Sequence, residues 1–255
     1  MLIKERYDAI LHIVNEKKAV SVTELTGLLN SSESTIRRDL NALHNMRRLD
    51  KVHGGAVAVK DEHVLGENEI AVKYQLNVDE KIKIAQYAAS LIQKDDFVYL
   101  DAGTTTEMMI DFITQKDVIY VTNGLTIAKE LSYRKFYTVV IAGRVRGITE
   151  AIVGSEAERS LKQYHFTKGF FGTNGIAKEG YTTPNIEEAQ TKSFAMKKCK
   201  DCFVLADSSK FEKISSISFG KLAEATIITT NLDNHKYSEY TTILEVENDD
   251  LHSNV

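Results

Sequence analysis

The sequence contains no long hydrophobic run. Its longest apolar stretches, such as TVVIA (residues 138–142) and FVLA (203–206), have the length of β-strands and fall far short of the roughly 20 residues that cross a bilayer. The first residues, MLIKERYDAILHIV, mix charges into their apolar positions and are followed by no small-residue cleavage site, unlike a secretory signal. We therefore expect a cytoplasmic protein without a membrane span.

Cysteine is also scarce, because the chain has only Cys199 and Cys202. Their C-x-x-C spacing resembles a redox pair, but such a pair stands where a strand ends and a helix begins. Here the pair follows a predicted helix (187–198) and leads into a predicted strand. A single pair also lacks the further ligands of a tetrahedral zinc site. We expect two packing residues, and we predict no metal and no cofactor.

The length and charge of the chain indicate two different domains. A chain of 255 residues exceeds the usual size of one domain, and its 43% hydrophobic and 27% charged residues exclude wholesale disorder. The net charge is −4, but residues 1–57 hold nine Lys and Arg against seven Asp and Glu. A mildly basic segment on an acidic body is typical of a DNA-binding module attached to another kind of domain.

Three short helices are predicted at the start of the chain. Apolar residues within 3–16 recur at the spacing of an amphipathic helix. Ser21, with Glu24 three positions on, forms a capping-box pattern that begins a second helix ending near Asn30. Ser31 or Ser32 then caps a third helix with one apolar face. The apolar residues of that face are Ile36, Leu40, Leu43 and Met46.

A small β-hairpin is predicted next, since apolar residues flank the pair Gly54-Gly55. Three helices followed by such a hairpin are the pattern of a winged helix-turn-helix. We expect this domain over residues 1–57, a linker over 58–78 and an α/β domain over 79–255.

The third helix carries side chains suited to DNA. In a helix-turn-helix the second helix of the pair enters the major groove with its amino-terminal residues towards the bases. Guanidinium groups there bind guanine edges or phosphates, whereas Asp39 and Leu40 are expected to face the body. The predicted DNA-binding residues are Ser32, Ser34, Thr35, Arg37 and Arg38 of the helix, and Lys51 and His53 of the wing. An arginine pair alone is equally typical of a solvated helix face, but the cap, the helix spacing and the wing together favour DNA.

This segment resembles the DeoR family of bacterial repressors. The family's signature begins with an arginine, continues with spaced aliphatic residues and ends in a serine, a threonine and an R-R-D-L block. The matching residues are Arg6, Ile10, Val14, Ser32, Thr35, Ile36, Arg37, Arg38, Asp39 and Leu40, and the wing VHGGA (52–56) is also typical of the family. The resemblance implies a repressor that binds double-stranded operator DNA.

Helical and strand patterns alternate from Asp79 onwards, which predicts a largely parallel sheet with helices on both faces. The motif LDAGTTTEMM (100–109) places a glycine turn and three threonines between a strand and a helix. Amides at such a helix start can bind an anion at the carboxyl end of a sheet. No G-x-x-x-x-G-K-[ST] and no G-x-G-x-x-G occurs, so a small phosphoester is favoured over a nucleotide. By itself, a Gly-Thr-Thr-Thr loop is more often a simple helix cap.

Other strand ends supply comparable polar groups, which suggests one shared crevice. Lys210 is the strongest candidate for a phosphate-binding cation, although a free surface lysine is the plainer interpretation. The predicted effector-binding residues are Asp101, Gly103, Thr104, Thr105, Thr106, Asn123, Gly143, Arg144, Asn174, Glu187 and Lys210.

These blocks also resemble the sensor domain of the DeoR family, which is similar in fold to ribose-5-phosphate isomerase. The matching blocks are DAGTTT, TNG, ITEAIVG, GTNGI, TTPNIEEA and DSSKF. The resemblance implies a Rossmann-like α/β sensor that binds a phosphorylated sugar and releases the repressor from DNA. Fructose 1-phosphate is the first guess for this sugar, and Asp101 with Glu187 or Glu188 would meet its hydroxyls.

Two alternatives remain open. A sugar-phosphate isomerase would use the same carboxylates and lysine for proton transfer, although the chain gives its first quarter to a DNA-binding module. A constitutive DNA-binding protein with a vestigial pocket is the other. Because recognition helices act in pairs about one duplex turn apart, we expect a homodimer or homotetramer, with no membrane partner.

Overall fold

A computed structural model describes residues 3–45, 49–57, 63–64, 70–230 and 236–246. The chain divides into two compact units, Met1–Asp61 and Glu62–Val255, and the boundary lies within the segment predicted to be a linker. Much of that segment (58–62 and 65–69) lies outside the described residues, as does Met46. No helix in the described part of the chain is long and apolar enough to cross a membrane.

The first unit contains the three predicted helices. Ser21 caps the second helix, because its hydroxyl accepts a hydrogen bond from the Glu24 amide at 3.1 Å, and Asn30 ends it in the left-handed conformation with φ 46°. Apolar side chains of all three helices meet in one core, in which Leu25, Ile36 and Leu40 are fully buried. The helices are α1 (Ile3–Lys17), α2 (Val22–Leu29) and α3 (Glu33–Asn45).

A three-stranded antiparallel sheet completes this unit. Its strands are β1 (Ala19–Ser21), β2 (Asp50–Val52) and β3 (Gly55–Val57), in the order β1-β3-β2. Gly54 makes the hairpin turn with φ +82°. Gly55 permits close pairing, since a Cβ there would lie 2.2 Å from the carbonyl oxygen of Val20. The predicted hairpin is confirmed, while β1 is an additional strand.

The second unit is built on a seven-stranded parallel sheet. Its strands are β5 (Phe97–Leu100), β6 (Ile119–Thr122), β7 (Tyr137–Val140), β10 (Phe166–Gly172), β13 (Cys199–Leu205), β16 (Thr226–Thr229) and β17 (Ile243–Glu245). Other strands lie outside this sheet: β4 (His63–Val64), β8 (Arg144–Arg146), β9 (Ala151–Val153), β11 (Gly175–Ala177), β12 (Gly180–Thr183), β14 (Ile214–Ser215) and β15 (Ile217–Gly220).

Helices cover the sheet, and two apolar cores result, one containing Tyr99 and Phe171 and the other Leu100 and Phe170. The α-helices are α4 (Ile70–Gln75), α5 (Val78–Ser90), α6 (Thr104–Met108), α7 (Leu125–Tyr133), α8 (Ser155–Leu161) and α9 (Ile186–Met196). Three short 3-10 helices add to them: Met109–Asp111, Ser208–Lys210 and Leu222–Glu224. The predicted fold class, a winged helix-turn-helix followed by an α/β domain, is confirmed.

The strand order is β17-β16-β13-β10-β5-β6-β7. From β5 the chain moves outwards through β6 to β7 and then returns to β10 on the other side of β5. The direction of winding therefore switches between β5 and β10. In open α/β sheets, ligands bind outside the carboxyl ends of the strands at such a point.

Some local features differ from the sequence predictions. Helix α4 lies inside the segment expected to be a linker. Strand β13 begins at Cys199, so both cysteines belong to a strand, and each thiol donates to a backbone carbonyl of the preceding helix region, Ala195 and Met196. Both are free thiols. The described residues hold no group of three His, Cys, Asp or Glu side chains placed to bind a metal ion.

Candidate DNA-binding surface and effector cavity

The start of α3 presents a cluster of hydroxyl groups. Ser32 caps the helix by accepting a hydrogen bond from the Thr35 amide at 3.2 Å. Its oxygen also lies 3.0 Å from the Ser34 hydroxyl and 2.8 Å from that of Thr35. Ser32 and Ser34 are exposed and Thr35 is half-buried. These short side chains can donate to and accept from base edges or phosphates.

The arginine pair lies on the exposed face of the same helix. Arg37 forms an exposed ion pair with Glu33 at 2.5 Å, while Arg38 is exposed one residue on. Asp39 faces the opposite way and pairs with Arg6 of α1 at 2.5 Å. Leu40 is fully buried. The prediction that Asp39 and Leu40 face the body of the unit is therefore confirmed, and both arginines remain available to a duplex.

The two predicted wing residues are exposed as well. The Lys51 ammonium donates to Asn41 of α3 at 2.7 Å, so the wing and the recognition helix are tied together. His53 lies next to the glycine turn. The structure thus places the predicted DNA-binding residues at the start of α3, on its exposed face and on the hairpin that follows it.

A cavity of about 180 Å³ lies in the second unit at the switch between β5 and β10. Among the described residues, the charged side chains that line it are Lys73, Lys81, Lys192, Lys210, Lys213 and Glu188. Hydroxyl and amide groups come from Thr104, Thr105, Thr149, Thr173, Asn174 and Ser209. Apolar residues such as Ile70, Leu76 and Leu205 complete the lining, and the charged side chains among the described residues are mostly positive.

Five of the predicted effector-binding residues line this cavity, namely Gly103, Thr104, Thr105, Asn174 and Lys210. Others support its walls. Thr106 is buried and donates to the carbonyls of Asp101 and Gly103. Asn123 is buried, with its side chain between the Ala102 amide and the Ile152 carbonyl. The polar groups of both side chains therefore form hydrogen bonds with the backbone.

Three further predicted residues, Gly143, Arg144 and Glu187, lie away from the lining. Gly143 has φ +145°, and a Cβ there would lie 2.7 Å from the Ile152 side chain. Gly143 therefore permits close packing of the backbone in a conformation that other residues rarely adopt. Arg144 is exposed and pairs with Glu187. The neighbouring Glu188 lines the cavity instead, where its carboxylate accepts from Arg146 at 3.0 Å and from Thr149 at 2.5 Å.

Asp101 forms a buried ion pair with Lys192 at the base of the cavity. The Oδ2 atom of Asp101, which pairs with Lys192, also accepts a hydrogen bond from the Gly172 amide at 3.1 Å. The Oδ1 atom of Asp101 has no hydrogen-bond partner among the described residues. Burial raises the pKa of Asp101, and the Lys192 ammonium opposes that rise. Lys192 also donates to the Gly172 carbonyl at 3.2 Å.

Sequence reasoning missed four of the cavity lysines, Lys73, Lys81, Lys192 and Lys213. The sequence positions of two of these lysines could have indicated a functional role. Lys81 occupies the apolar stripe of α5 with Ile84, Ala85 and Ala88, where a lysine is unusual. Lys192 stands four residues after Glu188 on α9 and therefore on the same helix face.

Comparisons with known proteins agree with these observations. Residues 6–62 match the DeoR-like helix-turn-helix domain, and residues 76–232 match the DeoR C terminal sensor domain. The chain is 42% identical to the uncharacterized HTH-type transcriptional regulator FruR of Bacillus subtilis, over 94% of this chain and 96% of that protein.

It is also 31% identical to the lactose phosphotransferase system repressor of Streptococcus mutans, over 94% of this chain and 98% of that protein. A ribose 5-phosphate isomerase A from Methanocaldococcus jannaschii shares 16% identity over 53% of this chain and 55% of that chain, with a TM-score of 0.39. The two domain matches and the full-length relatives show that the chain belongs to the DeoR family of transcriptional repressors.

Proposed function

We propose that this protein represses a carbohydrate-utilisation operon and that a phosphorylated sugar relieves the repression. The α3 hydroxyls, Arg37, Arg38 and the wing would bind operator DNA, with base contacts supplying specificity and lysine contacts to phosphate supplying affinity. The cavity of the second unit would bind the sugar. A relative named as a lactose phosphotransferase system repressor supports a sugar-related target.

The observation that carries the effector assignment is the charge of the cavity. Among the described residues, five lysines and one glutamate line the cavity at the switch point of a parallel sheet. Such a space attracts a small anion, and its hydroxyl and amide groups suit a polyol. The Glu188 carboxylate is held by Arg146 and Thr149, which orients it as a hydrogen-bond acceptor. These features support recognition of a sugar phosphate rather than its turnover.

A thermal-shift titration tests this assignment. The purified chain is titrated with fructose 1-phosphate, other hexose phosphates and the matching unphosphorylated sugars. Because a ligand that binds only the folded state stabilises it by RT ln(1 + [L]/Kd), one phosphorylated sugar should raise the melting temperature while its unphosphorylated form does not. An isomerase assay on the same sugars should show no turnover. The absence of any phosphate-dependent shift would contradict the assignment.

Operator binding is proposed to need a homodimer or homotetramer. Two recognition helices must lie about one duplex turn apart to read two half-sites. An effector that prefers the non-binding arrangement would then lower operator affinity by that preference alone. Sedimentation equilibrium tests the assembly, and a monomer at the concentrations that bind DNA would contradict it.

A further inference from the structure

Asp39 is the only charged side chain that is buried among the described side chains of the first unit. It belongs to the inner face of α3, together with the apolar residues Ile36, Leu40 and Leu43. A carboxylate loses its hydration at such a place, which costs free energy. An apolar residue would pack the same face without that cost. The position of Asp39 therefore requires an explanation other than packing.

Arg6 of α1 binds both oxygens of this carboxylate. Its Nε atom donates to Oδ2 at 2.5 Å, and its Nη2 atom donates to Oδ1 at 3.2 Å. The side chain of Arg6 is 12% exposed and that of Asp39 is 5% exposed, so little water reaches the pair. Two parallel hydrogen bonds from a planar guanidinium group define direction as well as distance. The pair thus holds α1 and α3 in one relative orientation.

Two other ion pairs in the described part of the first unit differ from this one. Lys17 of α1 pairs with Glu24 of α2, and Arg37 pairs with Glu33 within α3, but all four side chains are exposed. Exposed pairs contribute little to stability and hold their side chains only weakly. Buried pairs also add little net stability compared with apolar residues, but they can make one arrangement more favourable than its neighbours. Such a role fits the Arg6–Asp39 pair.

The arrangement of α3 determines how its exposed side chains face a duplex. Arg38 precedes Asp39 by one residue and lies about 100° from it around the helix, while Thr35 lies about one turn before it. Apolar contacts hold α3 against the unit, but they define its rotation less sharply than directed hydrogen bonds do. A base contact weakens steeply when its hydrogen bond is misaligned. Fixing the Asp39 carboxylate therefore fixes the direction of Thr35 and Arg38.

We propose that Arg6 is a positioning residue for sequence recognition. Its bidentate pair with Asp39 sets the rotation of α3 within the first unit, and thereby sets the preference for one DNA sequence over another. The guanidinium of Arg6 is largely buried against Asp39, so Arg6 acts through α3 and does not contact DNA itself. The inference rests on the proposed operator binding by α3, but it does not depend on the effector.

The test uses the full chain and three variants. Arg6→Lys keeps the positive charge but cannot donate two parallel hydrogen bonds to the carboxylate. Arg6→Met removes the charge as well. Lys17→Met is the matched control, because it breaks another ion pair of α1, at an exposed position.

DNA binding is measured by fluorescence anisotropy at several salt concentrations. One duplex is selected from a random library with the wild-type chain, and the other is a scrambled duplex of the same composition. Melting curves identify a temperature at which each variant is folded, and all affinities are compared at that temperature. A purely structural contact would lower the melting temperature without changing the ratio of the two affinities in the folded protein.

Arg6→Lys should weaken binding to the selected duplex by roughly 10-fold or more, which is the size of one lost base contact. Its affinity for the scrambled duplex and its salt dependence should stay unchanged, because the contacts with phosphate remain. Arg6→Met should lose at least as much of the sequence preference. Lys17→Met should keep the wild-type ratio of the two affinities.

Three outcomes would contradict the inference in different ways. An unchanged ratio in folded Arg6→Lys would overturn it and leave operator binding by α3 standing. Equal losses for both duplexes, with a weaker salt dependence, would also overturn it, because they would assign Arg6 to a phosphate contact. Equal binding of both duplexes by the wild type would overturn operator recognition itself. If Arg6→Met does not fold, Arg6→Lys decides between these outcomes.

Discussion

The two units of the chain present their candidate functional residues in opposite ways. In the first unit they lie on one helix and the adjoining hairpin, and nearly all are exposed. In the second unit they come from segments between residues 70 and 213, and Lys81, Thr104, Thr105, Glu188 and Lys192 are buried. Binding and stability should therefore be separable in the first unit but coupled in the second, where buried polar groups serve both.

Relative to the stability of the unit that carries it, the largest expected effect comes from the core of the first unit. Leu40 is fully buried, and Leu40→Ala should cost about 2–5 kcal/mol in unfolding free energy. That loss is comparable to the whole stability of a unit of this size, roughly 3–9 kcal/mol. Operator binding should disappear while effector binding by the second unit persists. Calorimetry and binding assays check both.

Leu28→Ala is the matched control, because Leu28 lies on α2 and is 55% exposed. It should change the stability by less than about 0.5 kcal/mol and leave operator binding intact. Loss of effector binding together with operator binding in Leu40→Ala would show that the two units depend on each other for folding.

The buried pair Asp101–Lys192 should give the next largest effect. Lys192→Met leaves the Asp101 carboxylate buried without its cation, at a cost of about 3–5 kcal/mol at neutral pH. Burial already raises the pKa of Asp101, and removing Lys192 raises it further. The cost should be smallest below the ordinary aspartate pKa of about 4, and should grow as the pH rises through the raised folded-state pKa. Urea unfolding at several pH values measures it.

Lys168→Met provides the comparison outside the cavity. Lys168 pairs with Asp96 at 2.6 Å and is also largely buried. This variant should lose stability and keep its effector affinity, whereas Lys192→Met should lose both. Equal effector affinity in the two variants would break the proposed coupling between stability and binding in the second unit.

Arg38→Ala should have a smaller effect that is confined to DNA. If Arg38 binds a base edge or a phosphate, its removal should weaken operator binding by roughly 10- to 100-fold without altering thermal stability. Arg37→Ala should have a similar but weaker effect, because Arg37 leaves its Glu33 pair to bind DNA. Anisotropy titrations and melting curves measure both properties. A large loss of thermal stability in Arg38→Ala would contradict the separation seen in the first unit.

The smallest expected effect is at the wing. Lys51 donates to Asn41 in the free protein and would contact the phosphate backbone. Lys51→Ala should weaken binding to operator DNA and to nonspecific DNA by the same factor. It should also reduce the slope of log K against log salt concentration by about one. A loss limited to one DNA sequence would instead assign Lys51 to base recognition.

The contrast between the two units also explains how much of the fold and of the candidate site could be predicted from the sequence. Helices α1 to α3 and the alternating α/β pattern were predictable because periodicity and caps are local signals. Strand β1 has three residues and pairs with β3, far along the chain, so no local pattern marks it. Helix α4 is likewise too short for a clear period.

The cavity was predictable only in part for a similar reason. The ends of the predicted strands indicated Thr104, Thr105 and Asn174 as cavity residues. A polar residue after a strand can instead form hydrogen bonds with the backbone, as Asn123 does. The lysines on α5 and α9 approach the cavity through tertiary packing. The local signs of a role in the site were the place of Lys81 among apolar residues of α5 and the position of Lys192 four residues after Glu188 on α9.

The central claim is that sugar-phosphate binding in the second unit releases DNA from the first. The most direct measurement is the affinity of the full chain for a duplex selected from a random library, by fluorescence anisotropy, with and without the hexose phosphate that stabilises it most. We predict that saturating hexose phosphate weakens the affinity, by roughly 5- to 150-fold, and that the unphosphorylated sugar does not. An operator affinity that is unchanged at saturating hexose phosphate would contradict the account.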